Sequence, residues 1–213
     1  MKHFINEELG AANVLKVAVD PEIVREFLPL STDIFRRPDF YSTCPAWHSD
    51  VRWISPNSAA GFAIFQLAFD RLGIAAHVKP YVDIERAVRL YSGFLVVRSS
   101  CTEPDFHTDW VHANNEAFTL ITPVSAIASG FGMLYKKLTG TIAEYDYKIG
   151  EALILGDHFI HSTKPGVSDD PVVLLSFTFG TDKMEHWDNI LQTAGHQGKL
   201  IRQPDGAFLE LEG

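Results

Sequence analysis

Cysteine is nearly absent from this chain: Cys44 and Cys101 are the only two in 213 residues. Two thiols are too few for a disulfide scaffold, and with no C-x-x-C pair a closed thiolate zinc site is excluded. Both are expected to be reduced thiols of a cytoplasmic protein. A basic excess is lacking as well. The 18 Lys and Arg face 27 Asp and Glu, a formal charge of −9, so no nucleic-acid partner is expected, because phosphate backbones select a basic surface. No run approaches the roughly 18 apolar residues that span a bilayer, and no basic-plus-apolar leader opens the chain, so no membrane partner is expected either. Glycine-rich phosphate loops and a G-x-S-x-G elbow are missing. What remains is 46% apolar and 21% charged, enough to bury a sizeable core within one domain, 1–213.

Periodicity divides that domain in three. Residues 1–87 read as a mainly helical N-terminal part. Asp20 can cap a helix whose first turn holds Pro21, and Ser58 can cap a stronger one in which Phe62, Phe65, Phe69 and Leu72 share a face before Gly73 stops it. From residue 88 to 180 short runs rich in Val, Ile and Phe alternate with Gly, Pro, Asp and Ser. They predict strands near 93–98, 117–122, 131–136, 141–147, 151–155 and 172–179, a barrel or sandwich. Residues 181–213 predict a helix from Met184 to Leu191. A turn at Gln203-Pro-Asp-Gly206 then leads to a final strand, Ala207 to Leu211.

Histidine carries the chemistry. The pattern H-x-D occurs three times, at His48/Asp50, His107/Asp109 and His186/Asp188. In extended chain, residues i and i+2 point the same way, so each pair can present an imidazole and a carboxylate together. Context favours the second. His107 follows the apolar run at 93–98, and His161, which ends a second such run, 152–155, lies 161 − 109 = 52 residues beyond Asp109. That interval allows several strands to circle a barrel and return. Two imidazoles and one carboxylate occupy one face of an octahedral ion and leave three positions open, the arrangement of non-haem Fe(II) oxygenases.

The stretch 93–180 resembles the Fe(II)/2-oxoglutarate-dependent dioxygenases. The matching elements are the strand and His107-Thr108-Asp109, then Tyr147-Lys-Ile-Gly150 and the strand into His161. Ser162-Thr-Lys-Pro-Gly166 and the strand 172–179 complete the match. The resemblance implies a double-stranded β-helix, a cupin-like jelly-roll barrel with flanking helices in an α+β arrangement. It also implies Fe(II) on His107, Asp109 and His161, with 2-oxoglutarate and O₂ as co-substrates. The expected activity is oxidation of a C–H bond of a small molecule or peptide side chain, releasing succinate and CO₂. Asp109 suits hydroxylation, desaturation or cyclisation; in halogenases of the family a small residue replaces that carboxylate.

One departure stands out. Family members usually carry Arg or Lys some ten to fifteen residues after the distal His, and 170–178 has none. A dianion in a partly dry pocket needs a cation, because an unpaired buried charge is costly. Arg98 is the first choice for the far carboxylate, since a guanidinium grips a carboxylate through two parallel bonds; Lys136 and Lys148 come after it. Ser176 and Thr178 share a face of the last strand with Val172 and Leu174, so their hydroxyls are candidates for co-substrate contact. His112, Trp110, Phe106 and the Asn114-Asn-Glu116 turn lie near the motif, whereas His158, three residues before His161, belongs on the opposite strand face. Trp47, His48 and Trp53 form an aromatic stretch that could close as a lid. The missing basic residue keeps open a cupin-type iron oxygenase that does not use 2-oxoglutarate, and a further reading is a non-catalytic barrel that binds a metal or ligand.

Overall fold

Alternating side chains in the second half of the chain resolve into two antiparallel sheets. The computed structural model describes residues 4–43, 51–127 and 131–211, so Cys44, Trp47, His48 and Asp50 lie outside the described residues. The strands are β1 (Ile5–Asn6), β2 (Ala11–Ala12), β3 (Val14–Ala18), β4 (Phe40–Thr43), β5 (Val51–Pro56), β6 (Arg89–Cys101) and β7 (Ala117–Pro123). They continue as β8 (Met133–Lys136), β9 (Ile142–Tyr145), β10 (Glu151–Leu155), β11 (His161–Thr163), β12 (Gly166–Gly180), β13 (Leu200–Arg202) and β14 (Phe208–Glu210). The helices are α1 (Pro21–Arg25), α2 (Leu28–Thr32), α3 (Ala59–Arg71), α4 (Ile74–Val78) and α5 (Trp187–Ala194). The large sheet runs β3-β10-β7-β12-β6-β5-β4 and the small one β11-β8-β9. A bridge between His107 and His161 lays the chain after β6 alongside β11. From β6 onward the chain therefore passes back and forth between the sheets.

Each face of the large sheet has its own core. Toward the helices, Val173, Leu175, Phe177 and Phe179 of β12 meet α3. Phe69 lies 5.7 Å from Phe177 and 5.2 Å from Phe179, ring to ring, while Phe65 lies 6.4 Å from Phe177. Gly93 of β6 permits this approach, because a Cβ there would sit 2.5 Å from the Phe65 ring. On the other face, Val14, Leu153 and Leu155 pack with Met133, Tyr135 and Tyr145 of the small sheet. Ser58 caps α3 by accepting from the Gly61 N–H at 3.0 Å, and Gly73 ends it with φ +64°, as its sequence position predicts.

The N-terminal part departs from expectation. It carries α1 to α4, but it also supplies β3, β4 and β5 to the large sheet, so it is mixed rather than mainly helical. β3 is five residues long and pairs with β10, and β5 pairs with β6. Runs this short carry too little periodicity to be told from helix or loop without their partners. The C-terminal helix begins at Trp187, after a single 3₁₀ turn at Met184–His186, and β13 pairs with β14 around the Gln203–Gly206 turn. Among the described residues no helix is long and apolar enough to cross a membrane.

The end of β12 is tied to the loop before β6 by Asp182. Its carboxylate accepts from the N–H groups of Glu85 and Arg86 at 2.7 Å and of Ala87 at 3.0 Å. Burial works against ionisation, yet these donors outweigh it and hold the carboxyl below the usual carboxylate range. Its stabilisation is thus fully present above the unfolded value, about 3.9, and is lost as pH falls through the lower folded value. Asp182→Ala is expected to cost about 1–3 kcal/mol at neutral pH in urea unfolding. The difference from wild type should shrink on acidification below the folded value, and a difference independent of pH contradicts the assignment.

Candidate metal centre

His107 and His161 are brought together by backbone pairing. The His107 N–H donates to the His161 carbonyl and the His161 N–H to the His107 carbonyl, both at 2.9 Å. Residues paired this way across antiparallel chains lie about 5.5 Å apart at Cα and project to the same face. Asp109, two residues on, joins them. One Asp109 carboxylate oxygen lies 3.7 Å from His107 Nε2 and 3.6 Å from His161 Nε2. Ligands bound at about 2.0–2.2 Å and subtending roughly 90–120° lie about 3.0–3.7 Å apart, so one divalent ion fits with little movement. Among the described residues these three form the one cluster of His, Cys, Asp and Glu able to hold a metal.

Both imidazoles hold the tautomer a metal needs. His107 Nδ1 lies 2.8 Å from the Asp105 carbonyl and His161 Nδ1 lies 3.1 Å from the Phe159 carbonyl. A carbonyl only accepts, so each Nδ1 carries the proton and each Nε2 offers a lone pair toward Asp109. His161 is 5% exposed, and burial lowers its pKa while the Asp109 charge pulls the other way.

A buried polar network holds the two ligand-bearing loops in place. Asp157, fully buried, accepts from the Asn114 N–H at 2.5 Å and donates its own N–H to Asn115 Oδ1 at 2.9 Å. Asn13 Nδ2 donates to the Asp157 carbonyl at 2.6 Å, and Asn115 Nδ2 to Asn13 Oδ1 at 3.3 Å. Asn13, Asn114 and Asn115 all have positive φ, which asparagine tolerates better than most residues. Beyond the network, Thr193 of α5 donates to the Asp109 carbonyl at 2.5 Å, and the Trp110 indole donates to Thr119 at 3.0 Å.

The triad opens into a cavity of ≈ 310 Å³ between the sheets. That volume is at the lower end of the range usual for small-molecule sites. Cross-strand pairing arranges the large-sheet wall in rows. Val51, Arg98 and Val172 form the first row, and Trp53, Val96 and Leu174 the second. Phe94, Ser176 and Ile121 form the third, and Ser92, Thr178 and Thr119 the fourth. Among the described lining residues Arg98 is the one arginine or lysine. Its Nε donates to the Ser100 carbonyl at 2.7 Å. Tyr147 lines the same space; burial pushes its hydroxyl well above the usual value, the Asp109 charge adds to this, and Arg98 opposes it.

Other sequence candidates fall elsewhere. Ser176 lines the cavity, but its hydroxyl donates to the Leu120 carbonyl at 3.0 Å. Thr178 is fully buried and is not among the lining residues, although its cross-strand partner Thr119 is. Lys136 and Lys148 are exposed and outside the lining; the Lys136 ammonium sits 5.6 Å from the Phe106 ring. His112 and His158 are exposed and do not line the cavity, and Trp110 is buried with Tyr91 and Trp187. Trp53 belongs to the β5 wall, packed 5.7 Å from Phe94, rather than to a lid. Sequence reasoning missed Gln192, Thr193, His196 and Gln197, which bring α5 and the chain just after it into the lining. Gln192 and His196 stand i, i+4, but nothing in their spacing says what that face covers.

No protein-family model and no curated protein matches the chain. Solved structures do match. The non-heme alpha ketoglutarate dependent epimerase SnoN from nogalamycin biosynthesis aligns with a TM-score of 0.64 at 11% identity, over 83% of each chain. HygX from Streptomyces hygroscopicus, solved with nickel and 2-oxoglutarate bound, gives 0.62 at 16% identity, over 86% of this chain and 90% of that one. A Pseudomonas putida prolyl-4-hydroxylase gives 0.52 at 15% identity, over 79% and 92%. At these identities the likeness is one of fold. The geometry itself predicts one Co(II) ion per chain by visible absorption. Asn115→Ala, which removes no ligand, is expected to weaken that binding by about 10–100-fold. Unchanged affinity contradicts the positioning role.

Proposed function

We propose that the chain is an Fe(II)- and 2-oxoglutarate-dependent oxygenase acting on a small molecule. The observation that carries this reading is a His107–Asp109–His161 cluster facing a cavity in which Arg98 is the one arginine or lysine of the described lining. On this reading the fold is a double-stranded β-helix, with β6-β12-β7-β10 as one sheet and the His107 segment with β11-β8-β9 as the other. SnoN, an alpha ketoglutarate dependent epimerase, HygX, solved with 2-oxoglutarate bound, and the prolyl-4-hydroxylase support it as structures of a similar fold.

His107 Nε2, His161 Nε2 and one Asp109 oxygen would hold the ion at the cavity wall. Iron with 2-oxoglutarate and O₂ supplies the oxidising chemistry: one oxygen atom enters succinate, formed with CO₂, and the other oxidises the substrate. The protein's residues fix geometry and exclude water. Arg98 would hold the far carboxylate of the co-substrate through its guanidinium. Val96, Phe94, Ile121, Met133 and Leu174 supply the apolar walls that keep the reacting C–H dry. Ser176, already bonded to Leu120, shapes this wall and makes no donation of its own to the co-substrate.

The cupin-type alternative drew its support from the missing basic residue after His161. Arg98, on the neighbouring strand and inside the cavity, removes that motive. A non-catalytic barrel would close the ion with further protein ligands, and no fourth donor joins the cluster among the described residues.

Purified protein with Fe(II), ascorbate and 2-oxoglutarate is expected to form succinate in an iron- and oxygen-dependent manner, faster when substrate is present. Arg98→Leu should raise the calorimetric Kd for 2-oxoglutarate on the metal-loaded protein by at least about thirtyfold, because it removes one partner of a desolvated charge pair. Wild-type protein that takes up metal but not 2-oxoglutarate would sink the reading.

A further inference from the structure

The cavity has a second polar end that the iron and co-substrate leave unused. From Arg98 to Ser92 the β6 wall runs six residues, about 20 Å at roughly 3.3 Å per residue. At the Ser92 end, Gln197 closes the cavity just beyond α5, its N–H held by the Ala194 carbonyl at 3.1 Å. Gln197 is 8% exposed, yet its side-chain Oε1 meets no hydrogen-bond donor. Ser92 Oγ and Thr178 Oγ1, cross-strand partners in the row behind it, are also buried without partners. Gly198 lies against that row, where a Cβ would sit 3.2 Å from Ser92 Oγ. Of the five unsatisfied buried side-chain atoms among the described residues, Gln197 Oε1 is the one on a lining residue, with Ser92 and Thr178 behind the lining. A buried polar group without a partner costs on the order of 1–3 kcal/mol, so the Gln197 amide oxygen calls for an external partner.

Charge narrows what that partner is. If Arg98 serves the co-substrate and Asp109 the ion, the remaining charged lining is Glu103 and Asp105, both exposed. Gln192, His196 and Thr193 complete the α5 side. An anionic substrate would find no second arginine or lysine in the described lining. A hydroxyl or ammonium group would instead supply the donor that Gln197 Oε1 lacks.

We propose that Gln197 is the specificity-determining residue of a substrate subsite, and that the substrate is a small polyhydroxylated or amine-bearing molecule without an anionic group. This rests on the oxygenase reading above, in which Arg98 is committed to 2-oxoglutarate. The subsite selects by hydrogen bonding, which discriminates strongly because an analogue lacking the donor leaves the amide unpaired.

Ligand-observed NMR on Ni(II)-loaded protein with 2-oxoglutarate tests it, since nickel binds without turnover. The probes are size-matched amino sugars, neutral polyols and sugar phosphates. Amino sugars and polyols are expected to bind at least tenfold more tightly than the phosphates. Gln197→Leu should weaken them about tenfold, with the 2-oxoglutarate Kd unchanged. The same variant should melt at the wild-type temperature or above it, because it removes an unsatisfied buried group; a structural glutamine would show the opposite. Gln197→Glu should favour amines over polyols. Equal or tighter binding of the phosphates, no binding by either non-anionic class, or binding indifferent to Gln197→Leu overturns the proposal. Failure of 2-oxoglutarate to bind while the amines still do would instead remove the oxygenase reading and leave the subsite standing.

Discussion

Two reciprocal backbone hydrogen bonds between His107 and His161 carry the rest of this structure. They make these residues direct partners across antiparallel chains, and partners share a face. Asp109 then follows from the two-residue repeat of extended chain. A slip of one residue in that pairing would turn the imidazoles to opposite faces and dissolve the cluster. The register is accordingly fixed from outside the pair. Asn13, Asn115 and Asp157 bind the two loops to each other and to β3, and Thr193 reaches from α5 to the Asp109 carbonyl. A buried network of this kind specifies position more than it adds stability, since its members give up hydration to form it.

From that fixed centre the cavity takes its polarity from the large sheet. Successive rows pass from Arg98 through the apolar middle of Val96, Leu174, Phe94 and Ile121 to the Thr119 hydroxyl, with Ser92 and Thr178 of the same row behind the lining and Gln197 beside it. A cation stands at one end and neutral hydrogen-bonding groups at the other. A bound dianion and a bound neutral or cationic molecule would each find the end that suits it, with the candidate metal cluster on β11 and the segment bridged to it.

Much of this was legible from residue patterns, and the gaps have physical causes. The aromatic repeat of α3 and the strands β6, β7, β10 and β12 stood out because their apolar faces pack on partners along their length. The His107–Asp109–His161 cluster was legible because H-x-D after one apolar run and a histidine after another need only local geometry plus one pairing. β3, β4 and β5 were not, because strands of four to six residues owe their existence to the neighbours they pair with. Thr178 shows a subtler limit. Alternation gives the face of a residue but not whether it reaches the cavity: Ser176 and Thr178 are both buried, and of the two only Ser176 lines it. Ser176 stands at the right depth, but the Leu120 carbonyl accepts its proton. The α5 contribution was invisible for a related reason: polar residues at i, i+4 read as a solvated face until the helix is seen against the cavity.

The most direct test is a crystal structure grown without oxygen from protein loaded with Fe(II) and 2-oxoglutarate, with data collected at the iron edge. The account predicts one anomalous peak bonded to both Nε2 atoms and an Asp109 oxygen. The 2-oxo acid should chelate from the cavity side, and its far carboxylate should rest on Arg98. A peak located elsewhere, a fourth protein ligand closing the ion, or a co-substrate carboxylate held by another residue would contradict it.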